Sequence, residues 1–383
     1  MNQYNFPTII LSGQGALAEF VHRLTVKNYQ RVFVVTDAIL KACGVLGKLT
    51  SLLDAHQVAF SVFAETHPNP IEEDVTKGTA AFKATRCDSI IALGGGSPMD
   101  AAKAIKIMAA NEPPLAQYDD AIGGDRLIKE PMPPLYAIPT TAGTGSEVGR
   151  SAVIISSTTG KKAIYFHPDL LPDMAVLEPE LTVGLPPHIT AATGVDAFVH
   201  CLEAYFAPGF HPIADGIALQ GLELVLDWLP RAVEDGRNLD ARERMLIAAT
   251  MGAAAFQKGL GMIHSLAHPL SSRCNMHHGL ANALLMPAAI SFIENANLDT
   301  DQRNRVKRVQ ALFSDRGYPS GGLAEMCRQF IENLGIAPGL LNHSVLGKDL
   351  ESLAQEALED PCHQANMIPV ELADLLSVYK AAL

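Results

Sequence analysis

The residues best suited to chemistry in this chain are clustered. Four of its thirteen histidines fall within GMIHSLAHPLSSRCNMHHGLANALL, residues 261–285. His264 and His268 are one helical turn apart, and His277 and His278 follow after a short polar break. Upstream, TAATGVDAFVHCLEAY places Asp196 and His200 four residues apart, hence on one face of a predicted helix. His278 opens a further helical stretch, HGLANALLMPAAI. For an isolated pair the plainer reading is the stronger one: a buried histidine bonded to a helix carbonyl or a carboxylate. Asp196, His200, His264 and His278 together, amid apolar helices, are four polar groups that need partners. One divalent cation satisfies them all.

The donor set narrows the ion. Catalytic zinc usually takes three protein ligands and keeps the fourth place open. A site with four protein ligands stays catalytic only with a metal that accepts a fifth or sixth. Fe2+ does so and suits imidazole with carboxylate, while Zn2+ binds such sites more tightly and is a possible substitute. Three neutral imidazoles and one carboxylate leave about one net positive charge, suited to holding an alkoxide.

A second signal lies in LGGGSPMDAAKAIKIM, residues 93–108. A strand-like run ends in three glycines. Ser97 suits a helix N-cap, Pro98 the first helical position, and Asp100 the reciprocal place in a capping box. A helix starting there aims free N–H groups and its positive dipole end at an anion, and the missing Cβ atoms let a pyrophosphate approach. The bland alternative is a tight turn that binds nothing. The pattern is not the usual dinucleotide fingerprint, because Met99 stands where its third glycine would be and the turn follows a later strand. IPTTAGTGSEV (138–148) supplies hydroxyls for a second wall of the same crevice. Asp37, closing RVFVVTD, suits either a ribose 2′-hydroxyl, favouring NAD, or a helix cap. SGQGAL (12–17) is weak evidence alone.

The elements that must position these residues come in two styles. RVFVVTD (31–37), VAFSVFAE (58–65), SIIALGGG (89–96) and LYAIPTTA (135–142) read as strands. Helical segments separate the first three, which implies βαβ units and a mostly parallel sheet. SAVIISS, KKAIYF and MAVLEP add short strands. Beyond LTVGLPP (181–187) strand signals almost vanish and amphipathic or apolar helices take over. The double proline places a boundary near Leu185 to Pro187. The expected organisation is an α/β domain over 1–185 and an all-α domain over 186–383, with a ligand cleft between them.

Composition excludes several classes. At 383 residues, about half of them apolar, the chain suits two well-cored domains. A net charge of −12 argues against nucleic acid or an anionic membrane as partner. No apolar run reaches the roughly 18 to 20 residues needed to span a bilayer. MNQYNFPTII lacks the marks of a signal peptide. The six cysteines have no CxxC spacing and read as reduced thiols. A cytoplasmic location is the expectation.

GGGSPMDAAK, PTTAGTGSEV, ATGVDAFVH and HSLAHPL…HHGLANALLMP resemble, in order and spacing, the iron-containing (group III) alcohol dehydrogenase family, in general pattern its lactaldehyde reductase and propanediol dehydrogenase type. The resemblance spans nearly the whole chain. It implies a dehydroquinate synthase-like fold, an NAD-binding α/β domain and a helical domain with one Fe2+. It implies Asp196, His200, His264 and His278 as metal ligands, and His268 near the nicotinamide as a proton relay. The cofactor would meet Asp37 and Asn69 at one end. Gly95, Gly96, Ser97 and Asp100 would face the pyrophosphate, Thr140 and Thr141 the far side, and Lys162 the ribose or nicotinamide. It further implies a small alcohol or aldehyde as substrate and a homo-oligomer, dimeric or larger.

Three positions depart from the family pattern. Gly149 stands where Thr is common, His277 where Pro is usual, and Glu178 where Asp is usual. The first two bear on the substrate, the third on little. Three rival readings are a non-haem iron oxygenase, a cyclising NAD- and metal-dependent enzyme of the dehydroquinate synthase type, and a non-catalytic nucleotide-binding protein. The four-ligand set, the alcohol dehydrogenase motifs and the metal constellation argue against them in turn.

Overall fold

The structure is a computed structural model, and it describes residues 6, 8–27, 29–129, 131–345 and 347–383. Most of the amino-terminal stretch read for a leader lies outside the described residues. The chain divides into two compact units, one comprising Met1–Thr141 with Gly145–Val183, the other Ala142–Thr144 with Gly184–Leu383.

The first unit contains β1 (Ile9–Ser12), α1 (Ala16–Lys27), β2 (Val32–Val35), α2 (Ala38–Ala42), α3 (Val45–Ala55), β3 (Phe60–Phe63), α4 (Glu72–Ala84), β4 (Ser89–Gly94), α5 (Gly96–Ala110), β5 (Leu135–Pro139), β6 (Ser151–Ile155), β7 (Lys162–Phe166) and β8 (Met174–Leu177). Six strands form one parallel sheet in the order β1-β8-β5-β4-β2-β3, and β6 and β7 pair separately as an antiparallel hairpin. Both faces of the sheet are covered. Phe33 and Val35 of β2, with Ile90 and Ala92 of β4, point into one core, while Val32, Val34, Ile91 and Leu93 point into the other. Strands buried on both faces need continuous apolar runs, which is why VFVV and SIIALG show no alternation. Strand β1 was not expected from sequence. Its apolar run, Ile9 to Leu11, is only three residues long and lies largely exposed at the sheet edge.

From β2 the chain moves outward to β3, then returns past β2 to β4. The carboxyl ends of β2 and β4 therefore flank the point where strand order reverses, the preferred ligand crevice of an open parallel sheet. Asp37 follows one of these strands and the three glycines close the other.

The second unit is helical: α6 (Pro187–Phe206), α7 (Pro212–Glu234), α8 (Leu239–Ala255), α9 (Met262–Arg273), α10 (His278–Glu294), α11 (Thr300–Ser314), α12 (Leu323–Asn333), α13 (Leu350–Glu359) and α14 (Leu372–Ala381). Pro186 and Pro187 start α6 at its N-cap and first helical position. Every residue of α6 from Thr190 to Phe206 is buried, so this helix is the axis of the unit. Helix α10 meets it very closely: a Cβ on Gly279 would lie 2.1 Å from the Ala192 carbonyl oxygen, so only glycine fits there. Among the described residues, no single helix is long and apolar enough to cross a membrane.

Candidate functional site

Within the helical unit, α6, α9 and α10 bring the expected donors together. Asp196 Oδ1 lies 4.0 Å from His200 Nδ1, 3.7 Å from His264 Nε2 and 3.5 Å from His278 Nε2. Asp196, His200 and His264 are buried, and His278 is partly open, its side chain 26% exposed. The rings of His200 and His264 stack with centroids 4.5 Å apart. His200 Nδ1 is buried without a hydrogen-bond partner and faces the same carboxylate oxygen. A dry nitrogen lone pair aimed at a carboxylate is unfavourable unless something cationic sits between them. The donor set, three imidazoles and one carboxylate, therefore fits a divalent transition metal.

The electrostatics agree. Burial pushes His200 down to about 4, against the opposing pull of Asp196, so it is neutral at pH 7. Burial alone would raise the Asp196 carboxyl, but His200, His278 and His264 outweigh it and hold it far below the usual carboxylate range. His264 suffers the same burial, yet its bonds to Asp196 and Glu203 lift it to about 9. Proton and cation thus compete for one cluster.

Two functional neighbours escaped the sequence reading. Glu203 is buried, and its Oε2 accepts a 2.6 Å hydrogen bond from His264 Nδ1 while Oε1 accepts 2.7 Å from the Ile263 N–H. This bond commits Nδ1 and leaves Nε2 to face Asp196. The only sequence signal was spacing: Glu203 is three residues past His200, on the same helix face. Asn282, one turn after His278, donates from Nδ2 to Asp196 Oδ1 at 2.7 Å and lies 3.4 and 3.3 Å from His264 Nε2 and His278 Nε2.

His268 stands apart from the donor cluster. Its Nδ1 donates to Asp360 Oδ2 at 2.7 Å, and its ring stacks on His278 at 5.2 Å and 17°. Burial opposes the Asp360 carboxylate, but its hydrogen bonds, that from His268 foremost, hold its pKa well below the usual range. His277 is exposed and precedes α10 without a side-chain cap; its carbonyl accepts from Ala281 N–H.

In the α/β unit the turn after β4 differs from the local expectation. Gly95 is the N-cap of α5, so Ser97 and Pro98 lie inside its first turn and no capping box with Asp100 forms. Gly94 has φ +154°, and a Cβ there would strike Pro98. Ser97 Oγ donates to the Pro68 carbonyl. The Asp100 carboxylate instead accepts from Ser146 Oγ at 3.0 Å and Val153 N–H at 3.2 Å. Beside it, buried Lys103 donates to Ser146 O, Ser146 Oγ and Ser151 O at 2.8–2.9 Å.

Asp37 caps α2, with Oδ1 accepting from Leu40 N–H at 2.8 Å. Thr140 is buried and its N–H donates to the Gly94 carbonyl; Thr141 Oγ1 lies against Gly95. Asn69 is half-buried in the turn before α4, and Lys162 opens β7. A Cβ at Gly149 would sit 3.5 Å from Lys103 Nζ, so the departure there borders the buried lysine. Glu178 accepts from the Gly15 and Leu17 N–H groups, which occupies the amides of the SGQGAL turn.

Comparison with known proteins gives these two clusters a common context. Residues 7–179 match the model of the iron-containing alcohol dehydrogenases, and residues 190–383 match that of the Fe-containing alcohol dehydrogenase family C-terminal region. The chain is 42% identical to 4-hydroxybutyrate dehydrogenase of Cupriavidus necator over 355 residues, 90% of each chain. It is 33% identical to the NAD-dependent methanol dehydrogenase of Bacillus methanolicus over the full length of both. Its structure is similar to a crystal structure of 1,3-propanediol oxidoreductase, with a TM-score of 0.91, 32% identity and complete coverage of both chains. With each half matched by that family's own model and relatives aligned along nearly its whole length, the chain belongs to the iron-containing alcohol dehydrogenase family.

Proposed function

We propose that the protein transfers hydride reversibly between a short primary alcohol or diol, or the matching aldehyde, and NAD(H), with Fe2+ as resident metal and Zn2+ able to replace it. The observation that carries this reading is the convergence of Asp196, His200, His264 and His278, with the unpartnered His200 Nδ1 facing the Asp196 oxygen. A cation held there supplies Lewis acidity, which lowers the pKa of an alcohol oxygen as it does that of water, from ~15.7 towards ~7. Asp196 and the three histidines hold that charge in a setting where apolar helices limit water. His268 Nε2 exchanges the proton of the substrate hydroxyl.

On the α/β side, the first-turn N–H groups of α5, from Gly96 and Ser97, receive the pyrophosphate, with Gly95 allowing close approach. Thr140, Thr141, Asn69 and Lys162 line the remainder. Asp37 accepts from the adenosine ribose through the oxygen not engaged with Leu40, which favours NAD over its 2′-phosphorylated form. Asp100 has a different part, buttressing the loop at Ser146.

The substrate is the finer question. The lactaldehyde reductase and propanediol dehydrogenase pattern favours a diol, whereas a relative named for 4-hydroxybutyrate favours a primary alcohol bearing a distant carboxylate. The test is NADH formation with ethanol, propane-1,2-diol, propane-1,3-diol and 4-hydroxybutyrate, before and after chelation and again after Fe2+ return. Activity on at least one that vanishes on chelation and returns with iron is expected. Metal-independent turnover, or none on any alcohol, refutes the proposal.

A further inference from the structure

His264 and His268 lie on one face of α9, yet the surrounding residues treat them differently. The His268 Nδ1–H is held by Asp360 Oδ2 at 2.7 Å. Asp360 follows α13 and opens the turn Pro361–Ala365, where its position is firmly set. Its Oδ1 accepts from Ser265 Oγ at 2.8 Å and from the Cys362 N–H at 2.9 Å. Ser265 Oγ in turn accepts from the His363 N–H at 2.8 Å. The carboxylate is thus tied both to α9 and to its own turn. On its other side the His268 ring lies nearly parallel to His278, at 17°. One contact fixes which nitrogen carries the proton, the other fixes the plane of the ring.

We propose that Asp360 is a positioning residue for the reaction, acting through His268. An imidazole has two nitrogens, and the neutral ring carries one proton. With Nδ1–H committed to Asp360, Nε2 is the nitrogen left to take or return the hydroxyl proton of the substrate. The stack on His278 keeps Nε2 from swinging away. A carboxylate that holds a histidine in its working tautomer has large catalytic leverage without touching the substrate. The inference rests on the proton-exchange role given to His268 above.

The test compares wild type with Asp360→Asn, His268→Ala and the double variant, each loaded with the same metal to equal stoichiometry. Asp360→Asn should lower kcat at least tenfold with KM changed less than threefold, and His268→Ala should do the same. The double variant should be no slower than His268→Ala alone, because the carboxylate has nothing left to orient. An independent readout is the 15N spectrum of the His268 ring in the zinc-loaded protein. Wild type should show the Nδ1–H tautomer, and Asp360→Asn should move population to Nε2–H. If Asp360→Asn fails to fold, Ser265→Ala is measured instead, and a smaller shift in the same direction is expected. Wild-type kcat in Asp360→Asn, additive losses in the double variant, an unchanged tautomer, or full activity in His268→Ala would each overturn the proposal. Absence of alcohol oxidation by wild type would sink the functional reading instead, while the tautomer spectrum still decides the role of Asp360.

Discussion

Glu203→Gln should damage metal binding although Glu203 is no ligand, and the structure says by how much. The carboxylate offers two acceptor oxygens to two donors, the Ile263 N–H at 2.7 Å and the His264 Nδ1–H at 2.6 Å, in a buried setting. Glutamine keeps the shape but presents one acceptor and one donor. If its oxygen turns to Ile263, its NH2 group faces His264, and Nδ1 must give up its proton. That proton then moves to Nε2, the nitrogen 3.7 Å from Asp196, and closes it to a cation. If the oxygen turns to His264 instead, the NH2 group meets the Ile263 N–H, leaving a buried donor unsatisfied at about 1–3 kcal/mol.

The first outcome resembles other losses of a partner that orients a metal-ligating histidine, about 10- to 100-fold in affinity. That is about 1.4 to 2.8 kcal/mol. Chelator competition with Co2+ or Zn2+ reads the first outcome, and thermal unfolding of the metal-free protein reads the second. A stability loss of that size shifts the midpoint by several degrees for a unit of this size. At least one of the two must appear. Wild-type metal affinity together with a wild-type midpoint would refute the orientation argument.

Three further outcomes follow from named contacts. Asp37→Asn keeps an acceptor for the Leu40 N–H and so preserves the α2 cap, but it removes the charge opposed to a 2′-phosphate; the ratio of kcat/KM for NAD+ over NADP+ should fall at least tenfold at unchanged Tm, and an unchanged ratio removes Asp37 from the cofactor site. Gly279→Ala drives a methyl against the Ala192 backbone, one turn before Asp196; it should cost about 1–3 kcal/mol or more and weaken Co2+ binding, and wild-type thermal unfolding would contradict the close approach. Burial pushes Lys103 from 10.5 down to about 8, so between these values the unfolded chain holds more protons than the folded one and stability rises with pH. Across the whole window the rise is roughly 3 kcal/mol, read as the difference in urea unfolding between wild type and Lys103→Met at pH 7.5 and pH 10; equal stability increments in the two proteins would contradict it.

The sequence made the donor cluster legible because its members repeat a helical period. Asp196 and His200 are four apart, and they sit among apolar neighbours where a polar residue needs a reason. What it hid are the partners whose distance along the chain is long. Glu203 lies 61 residues from His264, and Asp360 lies 92 from His268. A glutamate inside HCLEAY looks like any amphipathic helix residue until tertiary packing buries it. The turn after β4 shows the opposite failure. Ser97, Pro98 and Asp100 satisfy every local rule for a helix start, but Gly95 takes the N-cap, and Ser146 Oγ and the Val153 N–H engage Asp100 instead. Local signals are weak beside a buried carboxylate's need for donors. Parallel strands buried on both faces announced themselves as apolar runs, whereas the exposed edge strand β1 has only the three-residue run Ile9 to Leu11, too short to stand out.

The same chemistry, a carboxylate on Nδ1, is used twice on α9 with opposite consequences. Glu203 holds His264, whose Nε2 faces the donor cluster, and Asp360 holds His268, which lies outside it. His200 is arranged the other way round. Its Nδ1, buried without a hydrogen-bond partner, is the nitrogen aimed at Asp196. Spacing alone cannot separate these cases, because His264 and His268 have the same residue type and share a helix face. The third atom decides: which acceptor lies behind each ring, and whether that acceptor is itself anchored. Exchanging one such acceptor for an amide should therefore change what a histidine does before it changes where the histidine sits. Ligand geometry and tautomer are separable in this site, and the carboxylates behind the rings control the second.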